Sequence, residues 1–127
     1  MQKKRIAVIG ASNDRKKFGN KAVRAYKAQG HEVFPVNPNE ETIEGLRAYK
    51  SVSDIPGPID IANIYLPPKR GIIVIEEVAK KGIKDVFLNP GTESTEIVEQ
   101  GEKLGLNLML ACSIRAIGAD PGTLPEE

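Results

Sequence analysis

A basic loop bounded by glycines, near the start of the chain, carries the residue types best suited to binding phosphate. It covers residues 10–20, between a short apolar run and a region with helical spacing. Gly10 allows a sharp turn and leaves room for a ligand against the backbone. A helix that begins at Gly19 presents free N–H groups and the positive end of its dipole, which together attract anions. The side chains of the loop that can bind phosphate oxygens are Ser12, Arg15, Lys16, Lys17 and Asn20.

The spacing of the glycines separates this loop from the common nucleotide-binding motifs. In G-x-G-x-x-G the glycines fall within about six residues, whereas Gly19 follows Gly10 by nine positions. NAD sites usually place Asp or Glu at the end of the second strand, where this chain has Asn37. The sequence also lacks the Gly-Lys-Ser or Gly-Lys-Thr of a Walker loop. The loop therefore predicts a nucleotide other than NAD; the alternative is that the glycines only form a turn and the cations are solvated.

Apolar runs and amphipathic segments alternate along the chain, and this alternation predicts how the loop is held. The strand candidates are residues 6–9, 33–36, 59–66, 85–88 and 106–111, with a short one near Ala48 and Tyr49. The helix candidates are residues 19–29, residues 69–81 and a segment that begins at Ser94 or Thr95. Strand, helix, strand in repetition predicts a parallel sheet with right-handed crossovers. We therefore expect an α/β, Rossmann-like, doubly wound sheet of about five strands in the order 3-2-1-4-5, in three layers.

The predicted topology places any ligand at one edge of this sheet. In open parallel sheets, ligands bind beyond the carboxyl ends of the strands, where the strand order reverses. The loops that follow these ends are residues 10–19, 37–39, 66–70 and 89–92. The only histidine, His31, precedes the second strand, so we expect it at the opposite edge as a surface residue. Pro35 removes one donor from the second strand and is typical of an edge strand.

Length and composition indicate one ordinary globular domain. The 127 residues fit a single domain over residues 1–127, with a loosely ordered tail from about residue 120. Apolar residues make up 40%, charged residues 28%, and the net charge is +1, which does not favour nucleic acid or a membrane as a partner. The apolar runs, such as residues 72–75, are too short to span a bilayer, and the first residues lack a signal-peptide pattern, so we expect a cytoplasmic protein.

Two stretches near the start of the chain have distinctive patterns, residues 8–12 (VIGAS) and residues 30–38 (GHEVFPVNP). They resemble the CoA-binding domain family, which comprises small stand-alone bacterial and archaeal proteins and the N-terminal domain of the succinyl-CoA synthetase α subunit. Residues 8–12 share the family pattern, and residues 30–38 are similar to its segment GYxVxPVNP. Residues 51–56 (SVSDIP) and 60–68 (DIANIYLPP) are similar to later segments. The resemblance runs from about Ile6 to Ile114, which is nearly the whole chain.

The resemblance implies that the ligand is coenzyme A and that the predicted loops surround it. Against the diphosphate it places Gly10, Ala11, Ser12, Gly19 and Asn20, with Lys16 or Lys17 near a phosphate and Arg15 and Phe18 in the same loop. Beside the adenosine it places Val36, Asn37 and Pro38, and along the nucleotide or pantetheine arm Leu66, Pro67 and Pro68. Asn89 is a further candidate, although residues 87–91 (FLNPG) depart from the family pattern.

No group of residues in the sequence is typical of catalysis or of metal binding. Ser12 has no base within reach, and no His, Cys or carboxylate cluster has metal-ligand spacing. Cys112 is interpreted as a small core residue, with a mixed disulfide to the CoA thiol as the alternative. We therefore expect a protein that binds CoA or acyl-CoA without catalysis of its own, as a carrier, sensor or detached subunit. The alternatives are a component of an acyl-CoA ligase, completed by a larger ATP-grasp-type chain, and an NADP-binding regulator; a homo-oligomer is the other partnership considered.

Overall fold

A five-stranded parallel sheet forms the centre of the computed structural model, which describes residues 3–119 and 121–126. In chain order the strands are β1 (Arg5–Ile9), β2 (Glu32–Val36), β3 (Thr42–Ile43), β4 (Leu46–Arg47), β5 (Ile61–Ile64), β6 (Asp85–Leu88) and β7 (Asn107–Leu110). Strands β3 and β4 form a separate antiparallel hairpin. The helices are α1 (Phe18–Ala28), α2 (Pro68–Lys80), α3 (Thr95–Lys103) and α4 (Ser113–Ala116), with 3-10 turns at Val52–Asp54 and Pro121–Thr123.

The central sheet has the order β2-β1-β5-β6-β7, and every neighbouring pair is parallel. This order confirms the predicted Rossmann-like α/β fold, with the reversal of strand order between β1 and β5. The predicted third strand is reduced to a single bridge, in which Tyr49 pairs with Val36 beside β2. With that bridge counted as a strand, the order is the predicted 3-2-1-4-5, and β7 extends it by one strand at the far edge.

Alternating side chains of the central strands divide the core into two layers. Ala7 and Ile9 of β1 belong to the layer under α2 and α3, whereas Ile6 and Val8 belong to the layer under α1 and α4. All four side chains are at most 2% exposed. Because successive residues of a strand point to opposite faces, a continuous apolar run suits a sheet that helices cover on both sides.

The proline within β2 faces the outer side of that strand. The Tyr49 N–H donates to the Pro35 carbonyl and the Asn37 N–H donates to the Tyr49 carbonyl, both at 2.9 Å, whereas the Val36 carbonyl accepts from Gly10 on the β1 side. The N–H and C=O groups of one strand residue point to the same side, so the Pro35 nitrogen faces away from β1. The N–H group that proline lacks is therefore not missing from the hydrogen bonds between β1 and β2. Pro35 is therefore compatible with a strand that has a full neighbour on one side only.

The segment that follows β7 returns across the sheet to cover α1. The Tyr26 hydroxyl of α1 donates to the Ser113 carbonyl at 3.2 Å. Ile114 of α4 is fully buried in the same layer as Ala22 and Val23 of α1. Helix α1 is thus enclosed between the sheet and the last part of the chain.

The predicted loose tail begins at Asp120, which lies outside the described residues, as does Glu127. Between these two positions the chain forms the second 3-10 turn, in which Pro121 is buried. The Glu126 carboxylate lies 2.8 Å from the Lys21 ammonium group of α1. The described part of this segment therefore contacts the rest of the protein. None of the helices within the described residues has the length and apolar character needed to cross a membrane.

Candidate functional site

A cavity of about 580 Å³ opens at the carboxyl ends of β1, β2 and β5. This is the edge at which parallel α/β sheets bind ligands. Its walls come from the loops after these strands, from one face of α2 and from residues 50–52. The predicted residues that line it are Gly10, Ala11, Ser12, Lys17, Val36, Asn37, Pro38, Leu66 and Pro67. The structure thus brings three of the predicted loops to one cavity.

The turn after β1 presents its backbone to the cavity. Gly10 has a φ of +90°, and a Cβ atom there would lie 2.7 Å from the Tyr65 carbonyl oxygen. The N–H groups of Gly10 and Ala11 donate to the Val36 carbonyl at 3.1 and 3.3 Å. Both the conformation and the lack of space therefore require glycine at this turn.

Asn37 connects the loop after β2 to the loop after β1. Its side-chain amide donates to the Ala11 carbonyl at 2.9 Å, and its Oδ1 accepts from the Asn39 N–H at 2.8 Å. The second bond closes a local turn of the kind that asparagine favours. Both ends of the amide are occupied, so Asn37 fixes the shape of the wall that Val36 and Pro38 complete.

Helix α1 begins beside the same turn, and its N-cap side chain makes no capping hydrogen bond to the first amide groups. Its N-cap residue, Lys17, lines the cavity. Gly19 lies so close to the turn that a Cβ atom there would collide with the Gly10 carbonyl oxygen and lie 3.3 Å from the Ala11 Cα. Free amide groups, the helix dipole and an ammonium group at one point favour a bound anion.

Other predicted residues of this loop have partners inside the protein. Asn20 is fully buried, and its amide donates to the Ser12 carbonyl at 2.9 Å and to the Glu44 carboxylate at 3.0 Å. The Arg15 Nε lies 3.5 Å from the same carboxylate. These contacts connect the loop to the β3–β4 hairpin. The predicted residues that do not line the cavity are Arg15, Lys16, Phe18, Gly19, Asn20, Pro68 and Asn89.

Asn89 lies buried beneath the site and joins three elements. Its amide donates to the Ile64 carbonyl at the end of β5 at 3.1 Å, and its Oδ1 accepts from the Ser113 N–H at the start of α4 at 2.9 Å. Asn89 itself directly follows β6 and is 1% exposed. Its side chain therefore has an internal role in holding the carboxyl ends of the strands together.

Apart from Arg70, which belongs to the predicted loop 66–70, sequence reasoning missed the wall that α2 and residues 50–52 contribute. On α2 the lining residues follow the spacing of one helix face, which was the available signal; they are Arg70, Ile73, Val74 and Glu77. Ile73 is 66% exposed although it is large and apolar. Lys50 gave no comparable signal, because it belongs to an irregular segment.

The cavity carries more positive than negative charge. Its charged lining residues are Lys17, Lys50, Arg70 and Glu77. Tyr65 also lines it, and burial raises the pKa of Tyr65 above its ordinary value, although a hydrogen bond of 2.7 Å to the Ser113 hydroxyl opposes this rise. The phenol therefore stays neutral at physiological pH. An anionic ligand matches this set of groups.

The other residues considered for chemistry lie away from the cavity. The prediction that His31 is a surface residue is wrong, because it is 6% exposed, packs edge-on against the Tyr26 ring and accepts the Lys4 N–H at 3.1 Å. Cys112 is half-buried at the N-cap of α4 and does not line the cavity. Within residues 3–119 and 121–126, no group of three or more His, Cys, Asp or Glu side chains could hold a metal ion.

Comparison with known proteins adds a family and several relatives. The sequence profile described as CoA binding domain matches residues 4–117. The structure of a conserved hypothetical protein from Pyrococcus furiosus is 37% identical, with a TM-score of 0.83, over 89% of this chain and 98% of that one. The α subunit of an ADP-forming acetate–CoA ligase II, also from Pyrococcus furiosus, is 40% identical over 115 residues, which are 82% of this chain and 25% of the subunit.

A larger enzyme contains the same fold. The dinucleotide-forming acetyl-coenzyme A synthetase 1 of Ca. Korarchaeum cryptofilum is 29% identical, with a TM-score of 0.75, over 86% of this chain and 26% of that one. This chain spans a quarter or less of the length of three ADP-forming acetate–CoA ligases that it matches.

Proposed function

Because the chain belongs to the CoA binding domain family, we propose that it binds coenzyme A or an acyl-CoA in the cavity at the carboxyl ends of β1, β2 and β5. The observation that carries this proposal is the meeting of the uncapped start of α1 with the turn at Gly10. The diphosphate lies at this point, against the backbone of Gly10 and Ala11. Lys17 and Arg70 stand on either side and neutralise its charge.

The remaining walls suit the two arms of the ligand. The adenosine lies over the end of β2, between Pro38 and the exposed Ile73 of α2. The pantetheine arm leaves along Leu66 and Pro67, which are apolar and mark the start of α2. Apolar walls with a few convergent polar groups are typical of cofactor sites.

Two roles are compatible with such a site. A carrier, a sensor or a detached subunit needs only to bind CoA. This role is favoured by the similarity to the hypothetical protein from Pyrococcus furiosus, which this chain matches along almost the full length of that protein. A component of an acyl-CoA ligase needs a second chain that supplies the reacting groups, and likeness to a ligase α subunit favours that role. In either case we assign to this chain the binding of CoA and no catalytic residue.

Free CoA is expected to raise the melting temperature of the purified protein. At a CoA concentration 100 times Kd, a ligand that binds only the folded state adds about 2.7 kcal/mol of stability, which for a domain of this size is a rise of roughly 10 °C. Differential scanning calorimetry measures the shift, with NAD and NADP as control ligands. No shift with CoA, together with no heat of binding in calorimetric titration, would contradict the proposal.

The two roles differ in what accompanies the chain from its native cell. A ligase component co-purifies with a larger chain of the ATP-grasp type, whereas a binding module is recovered by itself or as copies of itself with CoA attached. Affinity purification of the tagged chain, followed by native mass spectrometry, separates these outcomes. Recovery with the nicotinamide cofactor NADP in place of CoA would favour the redox regulator instead.

A further inference from the structure

A lysine outside all the predicted loops faces the cavity from the side of β2. Lys50 lines the cavity and directly follows Tyr49. Tyr49 exchanges two backbone hydrogen bonds of 2.9 Å with Pro35 and Asn37. Tyr49 therefore occupies the position of a further strand beside β2, and Lys50 lies level with the carboxyl end of β2.

The position of Lys50 relative to the diphosphate site follows from sheet geometry. Adjacent strands lie about 4.8 Å apart, so Tyr49 is about 10 Å from β1 across the sheet. The turn at Gly10 and the start of α1 lie at the end of β1, where the diphosphate is proposed to bind. A ribose over the end of β2 therefore separates the diphosphate from Lys50.

The Lys50 ammonium group is available for a ligand. Among residues 3–119 and 121–126 it has no hydrogen-bond or ion-pair partner. Cations nearby differ in this respect, since Lys27 donates to the Glu44 carbonyl at 2.9 Å and the Arg47 guanidinium lies over the Tyr49 ring at 5.2 Å.

The far part of the opposite wall, on α2, disfavours a phosphate. Glu77 lines the cavity on α2, two helical turns beyond Arg70 and therefore about 10 Å along the helix axis. Its carboxylate repels an anion placed against the far part of α2. A second phosphate on the ligand is thus directed away from α2 and towards residues 50–52.

We propose that Lys50 binds the 3′-phosphate of the adenosine of coenzyme A, an inference that rests on the proposed function. Lys17, the N-cap residue of α1, and Arg70, in the first turn of α2, are placed at the diphosphate. This leaves Lys50 as the cation of the lining nearest the ribose. A charge-assisted hydrogen bond between ammonium and phosphate then makes this lysine the group that distinguishes CoA from 3′-dephospho-CoA.

The test compares the affinities of CoA and 3′-dephospho-CoA for the wild type, Lys50→Gln, Lys50→Arg and Lys69→Gln. Lys69 is an exposed lysine of α2 outside the cavity lining, so its replacement makes the same change in net charge. Wild type is expected to bind CoA about tenfold more tightly than 3′-dephospho-CoA. Lys50→Gln should lose this preference, because its affinity for CoA falls while its affinity for 3′-dephospho-CoA does not change. Lys50→Arg and Lys69→Gln should keep the preference.

Each outcome of the titrations has a defined meaning. A wild type that binds neither ligand contradicts the proposed function itself. A wild type that binds both equally, or a Lys50→Gln variant that keeps the preference, overturns the role of Lys50 while CoA binding stands. An equal loss of affinity for both ligands in Lys50→Gln also overturns the role of Lys50. Melting temperatures measured without ligand show whether each variant is folded.

Discussion

Replacement of Gly19 by alanine is expected to destabilise the protein by about 1–3 kcal/mol and to abolish CoA binding. The added Cβ would collide with the Gly10 carbonyl oxygen and lie 3.2 Å from its carbon. These atoms belong to the backbone, so the turn at Gly10 or the start of α1 must move. Both are parts of the proposed diphosphate site, so stability and affinity should fall together. Urea unfolding and calorimetric titration with CoA measure the two effects.

Gly71 provides a matched control for this substitution. It also lies near the start of a helix, but a Cβ there would meet the side-chain atoms of Ile97 at 2.9 Å and Thr92 at 3.3 Å. Side chains can shift more easily than backbone, and alanine is favoured over glycine in a helix by up to about 1 kcal/mol. We therefore expect Gly71→Ala to remain close to the wild type in stability and in CoA affinity. Wild-type behaviour of Gly19→Ala would show that α1 does not depend on this close contact.

Replacement of Asn89 by alanine is expected to destabilise the protein by about 2–4 kcal/mol. The Ile64 carbonyl keeps another partner, because the Thr92 hydroxyl donates to it at 3.1 Å. The Ser113 N–H has no such replacement among the described contacts and would be left buried and unsatisfied. Most of the loss therefore comes from this one donor and from the cavity left by the amide. The free energy of unfolding in urea measures it.

Asn107 is the control for Asn89, because its amide also donates a hydrogen bond to a neighbouring strand, at 3.0 Å to the Asp85 carboxylate of β6, but on the exposed surface. Water can replace that bond, so Asn107→Ala should change the free energy of unfolding by no more than about 0.5 kcal/mol. Equal effects of the two substitutions would mean that Asn89 does not hold the strand ends together.

The sequence was sufficient to predict the fold because its signals are local and repeated. Continuous apolar runs such as residues 6–9 occur in strands buried on both faces, and the segments between them have helical spacing. The third strand was less predictable, because a single bridge between Val36 and Tyr49 has no pattern of its own. Likewise, nothing near His31 indicated its burial, which depends on the Tyr26 ring and the Lys4 N–H from other elements.

For the candidate site, the sequence predicted which backbone loops meet, but not which side chains face the cavity. Glycines and the topology indicate which loops meet at the cavity, and the structure brings them together. The orientation of long side chains was not predictable, since three consecutive cations cannot all face one cavity and Arg15 instead lies beside Glu44. Lys50 and Glu77 enter the lining through the path of an irregular segment and the rotation of α2, which are properties of the whole fold.

The cover over α1 has a consequence for the order in which the protein is made. Tyr26 and its partner Ser113 are 87 positions apart in the chain, so the ribosome releases α1 long before the segment that encloses it. Until Ile114 arrives, the apolar face of α1 that packs against it stays open to water and to chaperones. Contacts between such distant residues form slowly, and closure of this layer is therefore a late step in biosynthetic folding.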